Sequence, residues 1–269
     1  MEKMSQRVSA LRFRVQALSL LALHSSWGPE FKWLCNPVLS CHSCALAWFA
    51  CPIGVFIHYA SCRTFPFLAA GTLLFIGALI GRLFCGWVCP VGFLQDMLHR
   101  IPGPKFELPR WTAAGKFVVL ALLVIALPLV WGETTAFAFC RICPASALQI
   151  TVPYALRIGP AYVDGSIGVK LAVLVIVLGA VIFIRRAFCT VLCPIGALMA
   201  PLNFLSWWKV RAPARPCVSC RLCDKACPTA VSPSARISRG VPASHHLDCV
   251  VCHECTAVCG GRMRPAGAN

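Results

Sequence analysis

The sequence predicts an all-α membrane domain joined to a small, cysteine-rich α+β module, and three observations carry that prediction. The 269-residue chain is 58% hydrophobic with a mean hydropathy of +0.75, only 13% of it is charged, and nineteen residues are cysteine. Soluble domains carry about 25% charged residues, so half the usual solvating surface is missing and lipid is the expected surround. Such hydrophobicity excludes disorder, and the length argues against a disulfide-stapled secreted domain. The formal net charge of +16 would suggest nucleic acid in a polar chain. In an apolar one it reads as membrane orientation, because cytoplasmic flanks collect Lys and Arg.

Four transmembrane helices are expected. Crossing ~30 Å of hydrocarbon takes ~20 helical residues, and the apolar runs 65–84, 113–131 and 168–184 meet or approach that length. A fourth, 15–27, is interrupted by His24 and Ser25-Ser26 and needs Phe31, Trp33 and Leu34 to complete it. The uncharged stretch 44–60 contains Cys51-Pro52-Ile53-Gly54, a helix-breaking sequence suited to a re-entrant or interfacial segment. With both termini inside, four spans put twenty of the 25 Lys and Arg residues on the cytoplasmic side. Outside remain Lys32, Arg63, Arg141, Arg157 and Lys170. Five spans would strand the basic amino terminus or the basic tail. No small-residue cleavage site follows the first apolar stretch, so a cleaved signal peptide is not expected. The expected location is a bacterial inner membrane, multi-pass, with both termini cytoplasmic.

The tail holds the strongest motif. Cys217-x2-Cys220-x2-Cys223-x3-Cys227-Pro228 is followed by Cys249-x2-Cys252-x2-Cys255-x3-Cys259, the spacing with which bacterial two-cluster ferredoxins hold two [4Fe-4S] cubes, the fourth ligand of each run crossing over. Cys217, Cys220, Cys223 and Cys259 are therefore expected to bind one cluster, and Cys249, Cys252, Cys255 and Cys227 the other. Zinc also uses Cys-x2-Cys pairs, but not this doubled array. Pro213 and Pro216 at the start of the tail suggest a linker into a soluble module.

The membrane part repeats itself, a pattern to seek before naming any fold. Phe84-Cys85-Gly86-Trp87-Val88-Cys89-Pro90-Val91-Gly92 follows the second span and Phe188-Cys189-Thr190-Val191-Leu192-Cys193-Pro194-Ile195-Gly196 follows the fourth. The four spans thus read as two parallel repeats, and Cys85, Cys89, Cys189 and Cys193, brought together, would suit a further [4Fe-4S] cluster; the plainer alternative is buried packing thiols. On the opposite face Cys41-x2-Cys44 and Cys140-x2-Cys143 precede the same spans. They could hold another cluster, with Cys51 as a competing ligand, or form disulfides in an oxidising compartment. Cys35 and Cys62 read as buried or interfacial thiols.

Gln95, Asp96 and His99 follow Cys89 where a quinone head group would need a hydrogen-bond partner and a proton acceptor. His58 and His42 could serve the outer side, although a lone interfacial histidine is more often structural. Trp207 and Trp208 beside Lys209 read as an interfacial anchor. No Gly-rich phosphate loop, haem-attachment Cys-x2-Cys-His or Ser-His-Asp set is present, which argues against nucleotide hydrolysis, c-type haem and acyl transfer.

The Phe-Cys-x3-Cys-Pro repeats and the doubled tail motif resemble the NapH-type membrane ferredoxins, related to MauN and to the carboxy-terminal part of NosR. The resemblance runs from about Leu11 to Cys259. It implies a quinol dehydrogenase subunit that oxidises menaquinol or ubiquinol and passes electrons to a partner, commonly a periplasmic ferredoxin-like protein or c-type cytochrome, or another membrane redox subunit. It carries over to Cys85, Cys89, Cys189, Cys193 and the eight tail cysteines. The outer cysteines depart from the simplest members and put a link to periplasmic nitrate reduction in doubt. The domains expected are a four-helix membrane domain at 1–209, a two-[4Fe-4S] ferredoxin-like domain at 210–262 and a disordered tail at 263–269. The alternative function is an assembly, maturation or redox-sensing membrane iron-sulfur protein that does not turn over quinol.

Overall fold

Backbone polar groups in an apolar chain must bond internally, and helices do that for most of this one. The computed structural model describes residues 2–25, 31–41, 43–44, 46–135, 137–159, 164–213, 217, 219–259 and 263–265. Two helices, Arg110–Trp131 and Gly165–Phe183, are long and apolar enough to cross a bilayer. Their outward positions are apolar, as at Leu122, Val130, Val175 and Ile176, all exposed. In the first, a π-turn at Leu120–Ala126 precedes Pro128, where the missing N–H disturbs the helical ladder. Phe67–Ile80 is apolar but has only 14 residues, about 21 Å at 1.5 Å per residue.

The amino-terminal helix α1, Glu2–Leu23, is continuous. Its lower part bonds Gln16 Nε2 to the Gly86 carbonyl at 3.0 Å, and just beyond its upper end His24 meets Ser40 Oγ at 3.1 Å. Phe31, Trp33 and Leu34 do not extend it. They lie in strand β1, Phe31–Cys35, which pairs in parallel with β2, Phe49–Ala50. Cys35 is buried there beside Ala50 and Ala69, while Cys62 is exposed.

Each half of the chain then runs through the same order of parts. A Cys-Pro turn opens a helix (Pro52–Ser61 or 144–158), a longer apolar helix follows (Phe67–Ile80 or Gly165–Phe183), and a Cys-x3-Cys-Pro turn leads into a last helix (Pro90–Leu98 or Pro194–Leu205). One core joins the halves, containing Cys51, Cys89, Cys143, Cys189 and Cys193 with Leu39, Ile53, Val181 and Phe188.

The tail is docked on this core, not held off by a linker. Asn203 Nδ2 donates to the carbonyls of His246 and Cys249 at 2.8 and 2.7 Å, Arg82 to that of Leu247 at 2.6 Å, and Trp87 Nε1 to that of Val251 at 3.1 Å. Fully buried Lys116 pairs with Asp248, and buried Arg12 pairs with Glu254. Trp208, expected as a membrane anchor, instead packs on the tail core and donates to His253 Nε2 at 3.2 Å; Trp207 is exposed. Strand β3, Val210–Pro213, pairs antiparallel with β4, Met263–Pro265. That pairing orders the first three residues of the tail expected to be disordered; 266–269 and Pro216 lie outside the described residues.

Candidate metal centres

All nineteen cysteines are free thiols, and sixteen of them fall into four groups. In the tail, cysteines of both runs share one core. Cys249, Cys252 and Cys255 act electrostatically on one another and on Cys227, while Cys223 feels Cys259 and Cys217. Cys220 is exposed in the turn of the first run; Cys217, Cys220, Cys223 and Cys259 make the first group and Cys227, Cys249, Cys252 and Cys255 the second. The backbone explains the gathering: Ser219 and Arg221 in one run, and Val251 and His253 in the other, are left-handed, with φ between 48° and 61°. Alternating left-handed residues curl the chain so that N–H groups face inward, the nest that iron-sulfur sites exploit. Burial, then neighbouring charge, pushes Cys249 up to about 12 and Cys223 up to about 11. Ligating thiols must be deprotonated, so these groups suit a centre that brings positive charge.

The third group joins the two Cys-x3-Cys turns. Cys189 feels both Cys89 and Cys85, and Cys193 feels Cys189, Cys85 and Cys89. Two cations are buried against it in a reciprocal arrangement. Arg82 of the first half reaches the second half's turn, where a Cβ at Gly196 would stand 2.9 Å from its guanidinium; Arg186 of the second half lies over Gly92 in the same way, at 3.6 Å. Both arginines are fully buried and their charges act on the thiols of this group. A carboxylate of Asp96 accepts from Arg186 Nε at 3.0 Å and Nη2 at 2.6 Å and also pairs with Arg12. Burial works to raise the Asp96 carboxyl, but Arg186 and then Arg12 hold it well below the usual carboxylate range.

The second and third groups touch. Cys85 packs on Val250 and Cys252, and the contact needs glycine beside it, since a Cβ at Gly86 would collide with the Val250 carbonyl.

The fourth group is not the one expected. Cys41, Cys51, Cys140 and Cys143 line one small cavity and act on each other electrostatically. Cys44 is buried in the turn after Cys41, its N–H bonded to the Cys41 carbonyl at 3.0 Å, and is not among the cavity's lining residues. Cys51 stands in its place. The sequence signal for Cys51 was present: Cys51-Pro52-Ile53-Gly54 is a third Cys-Pro-x-Gly, matching the turns at Cys89 and Cys193.

Among the described residues, no three His, Cys, Asp or Glu side chains converge as a lone metal ion requires. Cys41, Cys51, Cys140 and Cys143 line one cavity and Cys227, Cys249, Cys252 and Cys255 another, four thiols apiece, the number a four-iron cube takes.

The quinone candidates separate. Buried Gln95 donates to Cys189 Sγ at 2.9 Å, and Asp96 is committed to its two arginines. His99 lines a cleft of about 560 Å³ between the membrane helices and the tail, lined also by Phe106, Trp111, Phe117, Ile184 and Cys227. His58 is exposed and pairs with Glu133 at 2.8 Å; His42 lies outside the described residues.

A cysteine-rich tail docked on a core that holds both Cys-x3-Cys turns suits an iron-sulfur protein. Residues 63–109 and 168–213 each match the 4Fe-4S binding domain family, so one family describes both halves. The chain is 27% identical to an uncharacterized protein of Methanocaldococcus jannaschii over 67% of its own length and 70% of that protein's. It is 32% identical to the regulatory protein NosR of Pseudomonas aeruginosa over 68% of its length, which is 24% of NosR. It is 26% identical to the ferredoxin-type protein NapH of Haemophilus influenzae over 72% of its length and 65% of NapH. No solved structure matches. The chain is thus similar to proteins named as ferredoxin-type, NapH and MauN among them, and two of its segments match a 4Fe-4S binding family.

Proposed function

We propose that this chain is the membrane subunit of a quinol dehydrogenase, oxidising quinol in the cleft beside His99 and passing the electrons to a periplasmic ferredoxin-like protein, a c-type cytochrome or another membrane redox subunit. The observation that carries the reading is the cleft itself, in which Phe106, Trp111 and Phe117 stand among charged side chains such as Lys105, Arg110 and Lys225, with His99 on one wall and the proposed cluster ligand Cys227 on another. Its volume lies in the range of small-molecule sites. His99 bonds the Val181 carbonyl through Nδ1 at 3.2 Å, which leaves Nε2 as the acceptor atom. Burial, and then Lys105, hold its pKa below the ordinary histidine value, so the ring is neutral and able to take a proton near pH 7. Quinol gives up two protons and two electrons; the clusters, when bound, supply one-electron acceptance. Cys85, Cys89, Cys189 and Cys193 would hold the third cluster, beside the two of the tail. The remaining parts of the reading are four spans in two parallel repeats, both termini cytoplasmic, a 1–209 membrane domain and a 210–262 ferredoxin-like domain.

The purified chain, mixed anaerobically with a short-chain quinol, should bleach its cluster absorbance within seconds. A chain that dithionite bleaches but quinol leaves oxidised, alone and with its membrane neighbours, refutes the proposal. The similarity to a protein named as regulatory, NosR, favours a second reading in which the clusters serve assembly or sensing without quinol turnover, and that outcome would support it.

A further inference from the structure

We infer that Cys41, Cys51, Cys140 and Cys143 hold a fourth [4Fe-4S] cluster, next in line after the third. These residues lie outside both segments that match the 4Fe-4S binding domain family, and the inference rests on the proposed cluster at Cys85, Cys89, Cys189 and Cys193 only for the comparison of sulfur environments.

That comparison is close. Cys89 and Cys193 are each the residue before a helix-opening proline, in extended conformation with ψ of 121° and 111°. Cys51 and Cys143 are placed identically, both with ψ of 121°. The conformation turns each sulfur onto the first N–H groups of the helix that follows. The Gly196 N–H donates to Cys193 Sγ at 3.4 Å, and the first N–H groups after the proline lie where they favour a charged sulfur at Cys89 (Gly92, Val91), at Cys51 (Gly54, Ile53) and at Cys143 (Ser146, Ala145). Helix-opening N–H groups free of carbonyl partners stabilise negative charge, and donors to sulfur are how proteins hold and tune such clusters. A packing thiol needs none of them.

The other two ligands come from loops. Cys41 is fixed by its own N–H, which donates to Gln149 Oε1 at 2.7 Å, and Cys140 lies on the short helix Phe139–Ile142. Lys170 supplies the cation that Arg82 and Arg186 supply to the third group: its charge acts on Cys140 and Cys143, and its Nζ bonds Ser146 Oγ at 2.7 Å. Distance also favours the assignment. Leu39 shares the core with Cys89 and lines the fourth cavity, and Cys41 is two residues on, a separation of ~7 Å along extended chain. The four groups thus lie in series. Cys223 acts on Cys255, Cys252 packs on Cys85, and Cys89 meets Leu39, so sulfur sites follow one another from the tail to the opposite end of the core.

Iron and acid-labile sulfide per full-length chain, reconstituted anaerobically, test this. Wild type should hold about sixteen irons, four per cube. Cys51→Ser and Cys140→Ser should each lose about four irons, and Cys44→Ser none. The same four irons lost from Cys44→Ser, or wild type at about twelve with Cys51→Ser unchanged, overturns the assignment. Failure of the third-cluster reading is separate, because it appears as no loss in Cys85→Ser. Alkylation of wild type needs no variant: in denaturant with an iron chelator and no reductant, Cys41, Cys51, Cys140 and Cys143 should all be labelled. Labelling of these residues only after disulfide reduction overturns the inference equally.

Discussion

Replacing Arg186 by Gln should lower the midpoint potential of the third cluster by roughly 100 mV. The arginine is fully buried, its charge acts on Cys189 and Cys252, and Nη1 donates to the Cys85 carbonyl at 3.2 Å. A unit charge roughly 6 Å from the sulfurs, at an effective dielectric near 20, contributes ~3 kcal/mol, or about 120 mV for a one-electron couple. Asp96, 2.6 Å from Arg186 Nη2, cancels part of that. The sign follows from charge: reduction adds an electron, a buried cation favours it, and removing the cation makes reduction harder. Asp96→Asn removes the opposing charge and should shift the potential upward. Redox titration of the full chain followed by EPR reads each cluster in turn. The shift should be largest for the third cluster, smaller for the one held by Cys252 and least for the one held by Cys217, Cys220, Cys223 and Cys259. Equal shifts at all clusters, or downward shifts for both variants, would refute the electrostatic reasoning.

Gly86→Val should separate the tail from the membrane core, because the added side chain meets the Val250 carbonyl; iron content should hold while magnetic interaction between the second and third clusters weakens in EPR. Lys116→Met leaves Asp248 without its buried partner, at a cost of about 3–5 kcal/mol, and should speed proteolysis within the tail; adding Asp248→Asn should recover much of the loss. His99→Gln removes the acceptor in the cleft and should slow quinol-driven reduction about 100-fold while dithionite reduction stays unchanged, and an unaltered quinol rate would take His99 out of the reaction.

Legibility followed the range of each signal. The doubled tail motif and the paired Cys-x3-Cys-Pro turns are legible as motifs, since spacing and local turns decide them within a few residues. Nothing near Gln95 in the sequence indicates that its side chain ends on Cys189, 94 positions away. Cys44 was preferred to Cys51 because Cys-x2-Cys is the familiar pairing, whereas the equivalence of Cys51-Pro52 to Cys143-Pro144 is conformational. Phe31, Trp33 and Leu34 were assigned to a span on hydropathy alone, which does not distinguish a helical turn from the strand Phe31–Cys35.

Composition and spacing by themselves determined the apolar helical character, the basic bias and the cysteine motifs, because those properties are local or additive along the chain. Tertiary structure alone decided which thiols share a cavity, that Arg82 and Arg186 are exchanged between the halves, and that the tail is docked through Lys116, Asn203 and Gly86. Each of those facts depends on side chains far apart in sequence meeting in a close-packed interior, where shape and charge have to agree at once.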